Sequence, residues 1–174
     1  MAGTVPIMNL RRRTIDSPVG RLVLVAGDEG LVRILFANTE LDDVGLSSAE
    51  VPEVDDDPVL AATAAQLDEY FSGKRRAFDL PLHLEGTGFQ QEAWLALADI
   101  GYGETATYGE QAAAIGRHGA FRAAGAANGA NPLPIVLPCH RVVGSDGSLT
   151  GFGGGIEVKR ALLDLETGVQ QLPF

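Results

Sequence analysis

Apolar residues recur at every second position in the first third of the chain, the period that is typical of β-strands. The pattern is clearest where Leu22, Leu24 and Ala26 alternate with neighbours that would face the other way. It predicts three short strands, at residues 13–16, 21–26 and 31–36. Turn sequences rich in glycine separate the three segments, so we expect an antiparallel meander.

A helical period replaces this alternation after residue 57. Asp57 is typical of an N-cap, Pro58 of the first helical position, and Gly73 of the end of a helix. One face of this helix carries the apolar residues that we expect to be buried: Leu60, Ala64, Leu67 and Phe71. The acidic run before the helix, residues 50–57, is expected to be a solvated loop.

The second half of the chain has mainly helical periods. Capping boxes at 87–90 and 107–110 predict two helices that end near residues 100 and 115. Three further elements are predicted: a helix at 120–129, a buried strand at 135–137 and a helix at 157–166. The expected inward contacts of the first and last helices are Phe89, Trp94 and Leu97, and Val158, Leu162 and Leu165.

These elements predict an α+β protein with a domain boundary near residues 83–88. Residues 1–86 would form a small antiparallel sheet domain with one helix, and residues 87–174 a mostly helical domain. The helices at 107–115 and 120–129, joined by a short turn that contains glycine, outline a helix-turn-helix.

The composition is that of an ordinary globular protein, with 45% hydrophobic and 21% charged residues in 174. No apolar run approaches the roughly 18 residues that a membrane span needs. The net charge of −10 by itself predicts poor affinity for nucleic acid. The acid is uneven, since residues 1–86 carry a net charge of −7 and residues 87–174 a net charge of −3.

Cys139 is the one cysteine in the chain, and His140 follows it directly. A single cysteine forms no internal disulfide, which fits a cytoplasmic protein, and it argues against a structural zinc site. A thiol reacts as the thiolate, so an adjacent proton acceptor is the usual activating device. The local sequence leaves two interpretations open, a catalytic nucleophile and a buried structural cysteine.

Two segments near the cysteine are nearly free of side chains. The helix at 120–129 is made mostly of alanine and glycine, and Arg122 is its one long charged side chain. Such a helix either approaches a ligand closely or packs closely on another helix, and the pattern does not separate the two. The loop at 151–155 lacks the lysine and the spacing of a phosphate-binding loop, so we reject nucleotide binding there.

Seven segments of the second half form a recognisable set: FQQEAW at 89–94, YGET at 102–105, TYGE at 107–110, RAAG at 122–125, Asn128, NP at 131–132 and PCHRVV at 138–143. They resemble the motifs of the methylated-DNA–protein-cysteine methyltransferases, the O6-alkylguanine-DNA alkyltransferases, and specifically their bacterial, constitutive type. The resemblance covers residues 87–168 and is weaker over the first half, which in that family is a small ribonuclease-H-like sheet domain.

The resemblance implies direct-reversal DNA repair. The alkyl group of O6-alkylguanine, or of O4-alkylthymine, in double-stranded DNA would pass to Cys139 after nucleotide flipping. Each molecule would act once, because a thioether is stable and the chain has no second thiol. We also expect no cofactor, no metal, no membrane association and no obligatory protein partner.

The resemblance also implies the catalytic roles. Cys139 would accept the alkyl group, and His140 would be the general base, acting through a bridging water. Glu166 would orient His140, which gives the order of nucleophile, base and orienting acid found in hydrolytic triads. Asn131 would brace the turn at the active site, and Tyr108 would hydrogen-bond guanine N3.

The DNA-binding residues follow in the same way. Arg122 would fill the stack that the flipped nucleotide leaves, and its helix would lie in the minor groove, where sequence is read poorly. The remaining helix residues implied at the interface are Ala123, Ala124, Gly125, Ala127 and Asn128. The loop residues implied at the base pocket are Phe152, Gly153 and Gly154, with the N–H of Gly153 facing O6.

The chain departs from the family pattern at three positions. Gly101 replaces a common proline, and Ala106 replaces a common arginine, which should weaken contacts with the DNA backbone. Phe121 stands where a small residue usually precedes the arginine. We expect Phe121 to pack under its helix; the alternative is a hydrophobic contact beside the flipped-out site.

Three other functions compete with alkyl transfer. A cysteine hydrolase built on Cys139, His140 and Glu166 would turn over, and it needs an oxyanion site that the sequence does not identify. A non-catalytic protein that binds alkylation damage would have another residue in place of the cysteine. A helix-turn-helix transcription regulator would carry polar side chains on its reading helix, and the helix at 120–129 has few.

Overall fold

The structure is a computed structural model that describes residues 9–168. Its helices and strands pack into two compact units. The chain divides between Glu85 and Gly86, one residue before the predicted boundary. No helix within the described residues is both long and apolar enough to cross a bilayer.

The first unit contains the antiparallel meander that the alternation predicts. Its strands are β1 (Arg11–Ile15), β2 (Leu22–Gly27) and β3 (Gly30–Leu35), in that order in the sheet. Gly30 is required where β3 begins, because its φ is +143° and a Cβ there would lie 2.6 Å from the carbonyl oxygen of Pro81. That carbonyl accepts a hydrogen bond from the N–H of Leu31 at 2.8 Å.

Both faces of the sheet are covered, so the simple alternation of inward and outward residues is incomplete. Leu22 and Leu24 are fully buried, as predicted. Val25, on the opposite face, is also fully buried, in a cluster with Leu35, Leu41 and Val51. A 3₁₀ turn, Leu41–Val44, contributes Leu41 to this second face.

The predicted helix of this unit is α1 (Pro58–Phe71). Its fully buried residues are Leu60, Thr63, Leu67 and Tyr70. Ala64 and Phe71, on the predicted apolar face, are half-buried, and Tyr70 takes the last fully buried position of the helix. The ring of Tyr70 packs edge-on against Phe71, with 5.3 Å between the ring centroids.

Asp57 begins α1 as predicted and also joins the helix to the sheet. Its carboxylate accepts a hydrogen bond from the N–H of Leu60 at 2.8 Å and forms an ion pair with the guanidinium of Arg11. Burial opposes its ionisation, but these partners outweigh burial and hold the pKa of Asp57 below its usual value. The acidic run 50–57 is therefore only partly a solvated loop, since Val51 and Asp57 are buried.

The second unit is mainly helical, as predicted. Its elements in order are α2 (Gly88–Leu97), β4 (Ala106–Thr107), α3 (Tyr108–Ala114), α4 (Phe121–Gly129), a 3₁₀ turn (Cys139–Arg141), β5 (Val142–Val143) and α5 (Ile156–Thr167). Both predicted capping boxes are present, at Thr87 and Thr107. The helix α2 ends three residues earlier than expected. The short strands β4 and β5 pair in parallel.

The helices α3 and α4 have the predicted helix-turn-helix connection through residues 115–120. Three side-chain hydrogen bonds anchor α4. The amides of Gln111 and Asn128 exchange hydrogen bonds at 2.8 and 2.7 Å, and Trp94 Nε1 donates to the carbonyl of Ala127 at 2.7 Å. The small residues on the inner side of α4 thus serve close helix packing.

We expect Asp57→Ala to lower the free energy of unfolding by about 1–2 kcal/mol, the usual effect of losing an N-cap. The difference should shrink as the pH falls, because a carboxylate with a lowered pKa stabilises the fold only while it is ionised. Urea denaturation at several pH values measures both. Asp56→Ala, at the exposed neighbouring position, should change stability by less than about 0.5 kcal/mol. Equal losses in the two variants would contradict the capping role.

Candidate active site

A tight turn, and not the predicted strand, lies directly before Pro138 and Cys139 in the chain. Residues 135–137 form a turn in which the N–H of Leu137 donates to the carbonyl of Leu133 at 2.8 Å. Ile135 has a φ of +74°, a conformation that costs a β-branched residue free energy. The prediction of a strand failed because a short buried apolar run has the same pattern in a turn as in a strand.

Asn131 holds this turn closed. Its Nδ2 donates to the carbonyl of Leu137 at 2.8 Å, and its Oδ1 accepts from the N–H of Leu133 at 2.9 Å. Its side chain also hydrogen-bonds the thiol of Cys139. One amide therefore supports both the backbone before the cysteine and the cysteine itself.

The thiol of Cys139 is buried, with 7% of the residue exposed. Burial raises its pKa to about 11, although the hydrogen bond of Asn131 and the charge of Lys159 act in the opposite direction. At neutral pH the group is therefore a thiol. Any nucleophilic role for Cys139 requires a base that takes its proton.

The neighbouring residue is suited to be that base. His140 Nε2 lies 2.6 Å from Oε2 of Glu166, and both side chains are completely buried. Burial lowers the pKa of His140; Glu166 opposes this, while Arg141 and Lys159 reinforce it, so the imidazole is neutral. Because a carboxylate only accepts, the proton of the neutral ring lies on Nε2, and Nδ1 has a free lone pair. Nδ1 is buried and has no hydrogen-bond partner within residues 9–168.

Glu166 joins three segments of the unit. Besides His140, its carboxylate accepts from Arg141, through Nε at 2.8 Å and Nη2 at 3.1 Å, and from the N–H of Gly103 at 3.2 Å. Arg141 Nη1 donates to the carbonyl of Ile100 at 2.6 Å. The buried carboxylate thus has a permanent positive partner as well as the imidazole.

The sequence reasoning missed Lys159. This residue is 1% exposed, and its Nζ donates to the carbonyls of Val142 at 2.6 Å and Thr150 at 3.1 Å. Burial lowers the pKa of Lys159, and its interaction with Cys139 raises it. A signal was available, because positions 159, 162 and 166 share one face of α5. The prediction that Val158 and Leu165 point inward is wrong, since both are only half-buried.

Tyr108 is linked to the glycine-rich loop through Thr150, which the sequence reasoning also missed. The hydroxyls of Tyr108 and Thr150 are 2.7 Å apart. The ring of Tyr108 lies beside Gly125, where an added Cβ would be 3.7 Å from Cδ1. Lys159 and Tyr108 therefore both hold Thr150, one at its carbonyl and one at its hydroxyl.

The loop itself is open. Phe152 is half-buried, and its carbonyl accepts from the N–H of Gly155 at 2.9 Å. Gly153 is exposed, with open space where a Cβ would stand, and Gly154 is half-buried. These three predicted pocket residues begin two positions after Thr150 along the chain. Within residues 9–168, no group of three His, Cys, Asp or Glu side chains is placed to hold a metal ion.

The residues predicted at the DNA interface fall on two sides of α4. Arg122 and Ala123 are exposed, and Gly125 is half-buried beside Tyr108. Ala124 and Ala127 are buried, with their side chains packed inside the unit, and their place at a DNA interface stays a prediction. The amide of Asn128 is occupied by its exchange with Gln111.

Phe121 differs from its expectation. We expected it to pack under α4, but 52% of the residue is exposed. It is the first residue of the helix, and the guanidinium carbon of Arg122 lies 5.8 Å from its ring centroid.

Comparisons with known proteins cover both units. The family described as 6-O-methylguanine DNA methyltransferase, ribonuclease-like domain, matches residues 10–84. The family described as 6-O-methylguanine DNA methyltransferase, DNA binding domain, matches residues 88–168.

Curated relatives have the same span. A methylated-DNA–protein-cysteine methyltransferase of Methanosarcina barkeri is 45% identical, over 87% of this chain and 94% of its own. Its counterpart in Mycobacterium tuberculosis is 47% identical, over 88% and 90%.

Solved structures agree with the fold. The structure of Mycobacterium tuberculosis OGT in complex with DNA is similar with a TM-score of 0.80 and 46% identity, and the match covers 91% of this chain and 93% of that one. An O6-methylguanine-DNA methyltransferase of Pyrococcus kodakaraensis is similar with a TM-score of 0.63 and 27% identity, covering 91% and 99%.

The ion pair between Glu166 and Arg141 should contribute to the stability of the fold. Glu166→Gln leaves the buried guanidinium of Arg141 without a counter-charge, so we expect the free energy of unfolding to fall by about 3–5 kcal/mol. Equilibrium urea denaturation measures this. Glu157→Gln, an exposed position on the same helix, is the matched control and should cost less than about 1 kcal/mol. A small effect at Glu166 would show that Arg141 does not depend on it.

Proposed function

The chain belongs to the family of methylated-DNA–protein-cysteine methyltransferases, and we propose that it repairs DNA by moving the alkyl group of O6-alkylguanine onto Cys139. The observation that carries this proposal is the buried thiol followed by a neutral imidazole whose Nε2 is held by Glu166 at 2.6 Å. The arrangement supplies a nucleophile, a base and an orienting acid in one packed cluster.

The chemical step is a displacement at carbon. Nδ1 of His140 takes the proton of Cys139 through a water molecule, and Glu166 stabilises the imidazolium that forms. The thiolate sulfur attacks the alkyl carbon as the bond from that carbon to O6 breaks, and the electron pair stays on the base. Tyr108 hydrogen-bonds guanine N3, and the proton that His140 took from the thiol passes to the guanine anion, which stays in the DNA as ordinary guanine.

Two further residues support this step. Lys159 is a buried cation that interacts with Cys139, so it favours the thiolate over the thiol. Asn131 hydrogen-bonds the sulfur and fixes the turn behind it. Together they offset part of the burial that holds the thiol pKa near 11.

The DNA would meet α4. The exposed residues of this helix are small, apart from its first two, which suits an approach along the minor groove. Arg122 would occupy the stack after the alkylated nucleotide turns out, because O6 is out of reach of a pocket nucleophile inside the duplex. The loop with Phe152, Gly153 and Gly154 would then receive the base. A relative has been solved in complex with DNA, which supports DNA as the partner.

The stoichiometry follows from the sulfur. The thioether on Cys139 is stable, and the chain has no second thiol to regenerate it, so each molecule acts once. O4-alkylthymine presents the same kind of alkyl–oxygen bond and belongs to the proposed substrates. A cytoplasmic location is part of the proposal, since it keeps the thiol reduced.

The decisive test uses duplex DNA with a single O6-methylguanine. We expect the intact mass of the protein to rise by one methyl group per molecule, with the modification mapped to Cys139. Cys139→Ser should form no adduct. Many substrates converted per protein would indicate a hydrolase, and no adduct with the unaltered protein would refute alkyl transfer.

A second test concerns Lys159. Replacing it with methionine removes the cation and keeps a side chain of similar length, so the pKa of the Cys139 thiol should rise further. At any pH below that pKa, the thiolate fraction falls about tenfold when the pKa rises by about one. We therefore expect reaction with free O6-benzylguanine at pH 8 to slow by about that factor, with the rate still rising with pH.

The control for Lys159 is its neighbour. Arg160 is exposed, and Arg160→Met should change the rate by less than about twofold. Circular dichroism of both variants checks that the loss of the bonds to Val142 and Thr150 has not unfolded the unit. A folded Lys159→Met protein with an unchanged pH profile would contradict the electrostatic role.

A further inference from the structure

Phe121 is one of three large hydrophobic residues that are exposed among those the structure describes; the others are Leu95 and Ile156. A single exposed apolar side chain is ordinary on a protein surface, so exposure alone carries no argument. The place of Phe121 does, because it begins α4 directly before Arg122. The other two lie on α2 and α5.

The helix that carries Phe121 is firmly mounted. Ala124 and Ala127 are buried, and the bond from Trp94 to the carbonyl of Ala127 is 2.7 Å long. A side chain at the end of so fixed a helix is presented in a defined position, which is what a residue that enters a base stack requires.

Phe121 and Arg122 form one surface. Consecutive residues of a helix normally point in different directions. Here the guanidinium carbon of Arg122 nevertheless lies 5.8 Å from the ring centroid of Phe121, within the range of a cation–π contact. Two flat groups, one apolar and one charged, are thus held side by side at the edge of the side-chain-poor helix.

We propose that Phe121, like Arg122, enters the base stack, and that its ring stacks on the base next to the gap that Arg122 fills. This inference rests on the proposed function, since it requires a flipped nucleotide. Minor-groove proteins commonly insert apolar side chains between base steps, and aromatic rings stack on any base without regard to sequence. A repair protein that must act at every sequence gains from such a contact.

The charge of the protein explains why a stacking contact from Phe121 would help it to bind DNA. The chain carries a net charge of −10, and Arg122 is the one cation on α4. Arg117, in the preceding turn, lies 3.6 Å from the carboxylate of Glu92. Attraction to phosphates is therefore weak at this surface. Stacking does not depend on counterion release, so Phe121 supplies a contact that salt leaves intact.

The test compares two substrates with Phe121→Ala. Duplex DNA with O6-methylguanine should react about tenfold more slowly, the effect of losing one base–aromatic stack. The ratio to the unaltered protein should stay constant between low and physiological salt. Free O6-benzylguanine, which needs no flipping, should react within about twofold of the unaltered protein. Phe121→Trp should keep duplex repair, and Leu95→Ala, at an exposed apolar position on α2, should change nothing.

A double variant separates stacking from a role in orienting Arg122. If the ring itself stacks, adding Phe121→Ala to Arg122→Ala slows duplex repair by a further severalfold. If Phe121 only orients the arginine, the second change adds nothing, and the proposal is wrong. Equal slowing on duplex DNA and free O6-benzylguanine would overturn it as well. Absence of any adduct in the unaltered protein would instead refute the proposed function.

Discussion

The second unit depends on the contacts of one buried carboxylate, that of Glu166. It accepts from the imidazole of His140, the guanidinium of Arg141 and the N–H of Gly103, so it joins α5 to the 3₁₀ turn and to the segment before β4. The same contacts set the chemical state of the site. Burial keeps His140 neutral and the charge of Arg141 beside Glu166 reinforces this, so the ring proton lies on Nε2 and the acceptor is Nδ1.

Local signals in the sequence predicted much of the fold. The caps at Asp57, Thr87 and Thr107 act within a few residues and have the expected geometry. The alternation around Leu24 predicted the strand but not the burial of Val25 on its other face. The motifs that resemble the alkyltransferase family predicted Cys139, His140 and Glu166 as one group, and the structure brings His140 and Glu166 into contact. Their catalytic roles stay predictions until the adduct is measured.

The missed features depend on contacts between distant segments. From the sequence Lys159 looks like a surface residue of a helix, because the sequence does not show that its ammonium donates to the carbonyls of Val142 and Thr150. The turn at Ile135 has the apolar pattern of a strand, and only the amide of Asn131 and the neighbouring prolines make it a turn. Hydrophobic periodicity contains no information about either partner, which is why it failed at both.

The helix α4 keeps its structural and its functional demands on opposite sides. Larger residues at positions 124 and 127 would disrupt the core, whereas at positions 126 and 129 they would meet only solvent in the free protein. On a minor-groove surface those outer side chains would obstruct DNA without affecting folding. A mutational scan scored by protein abundance would therefore find the outer positions tolerant, and one scored by survival of alkylation damage would not.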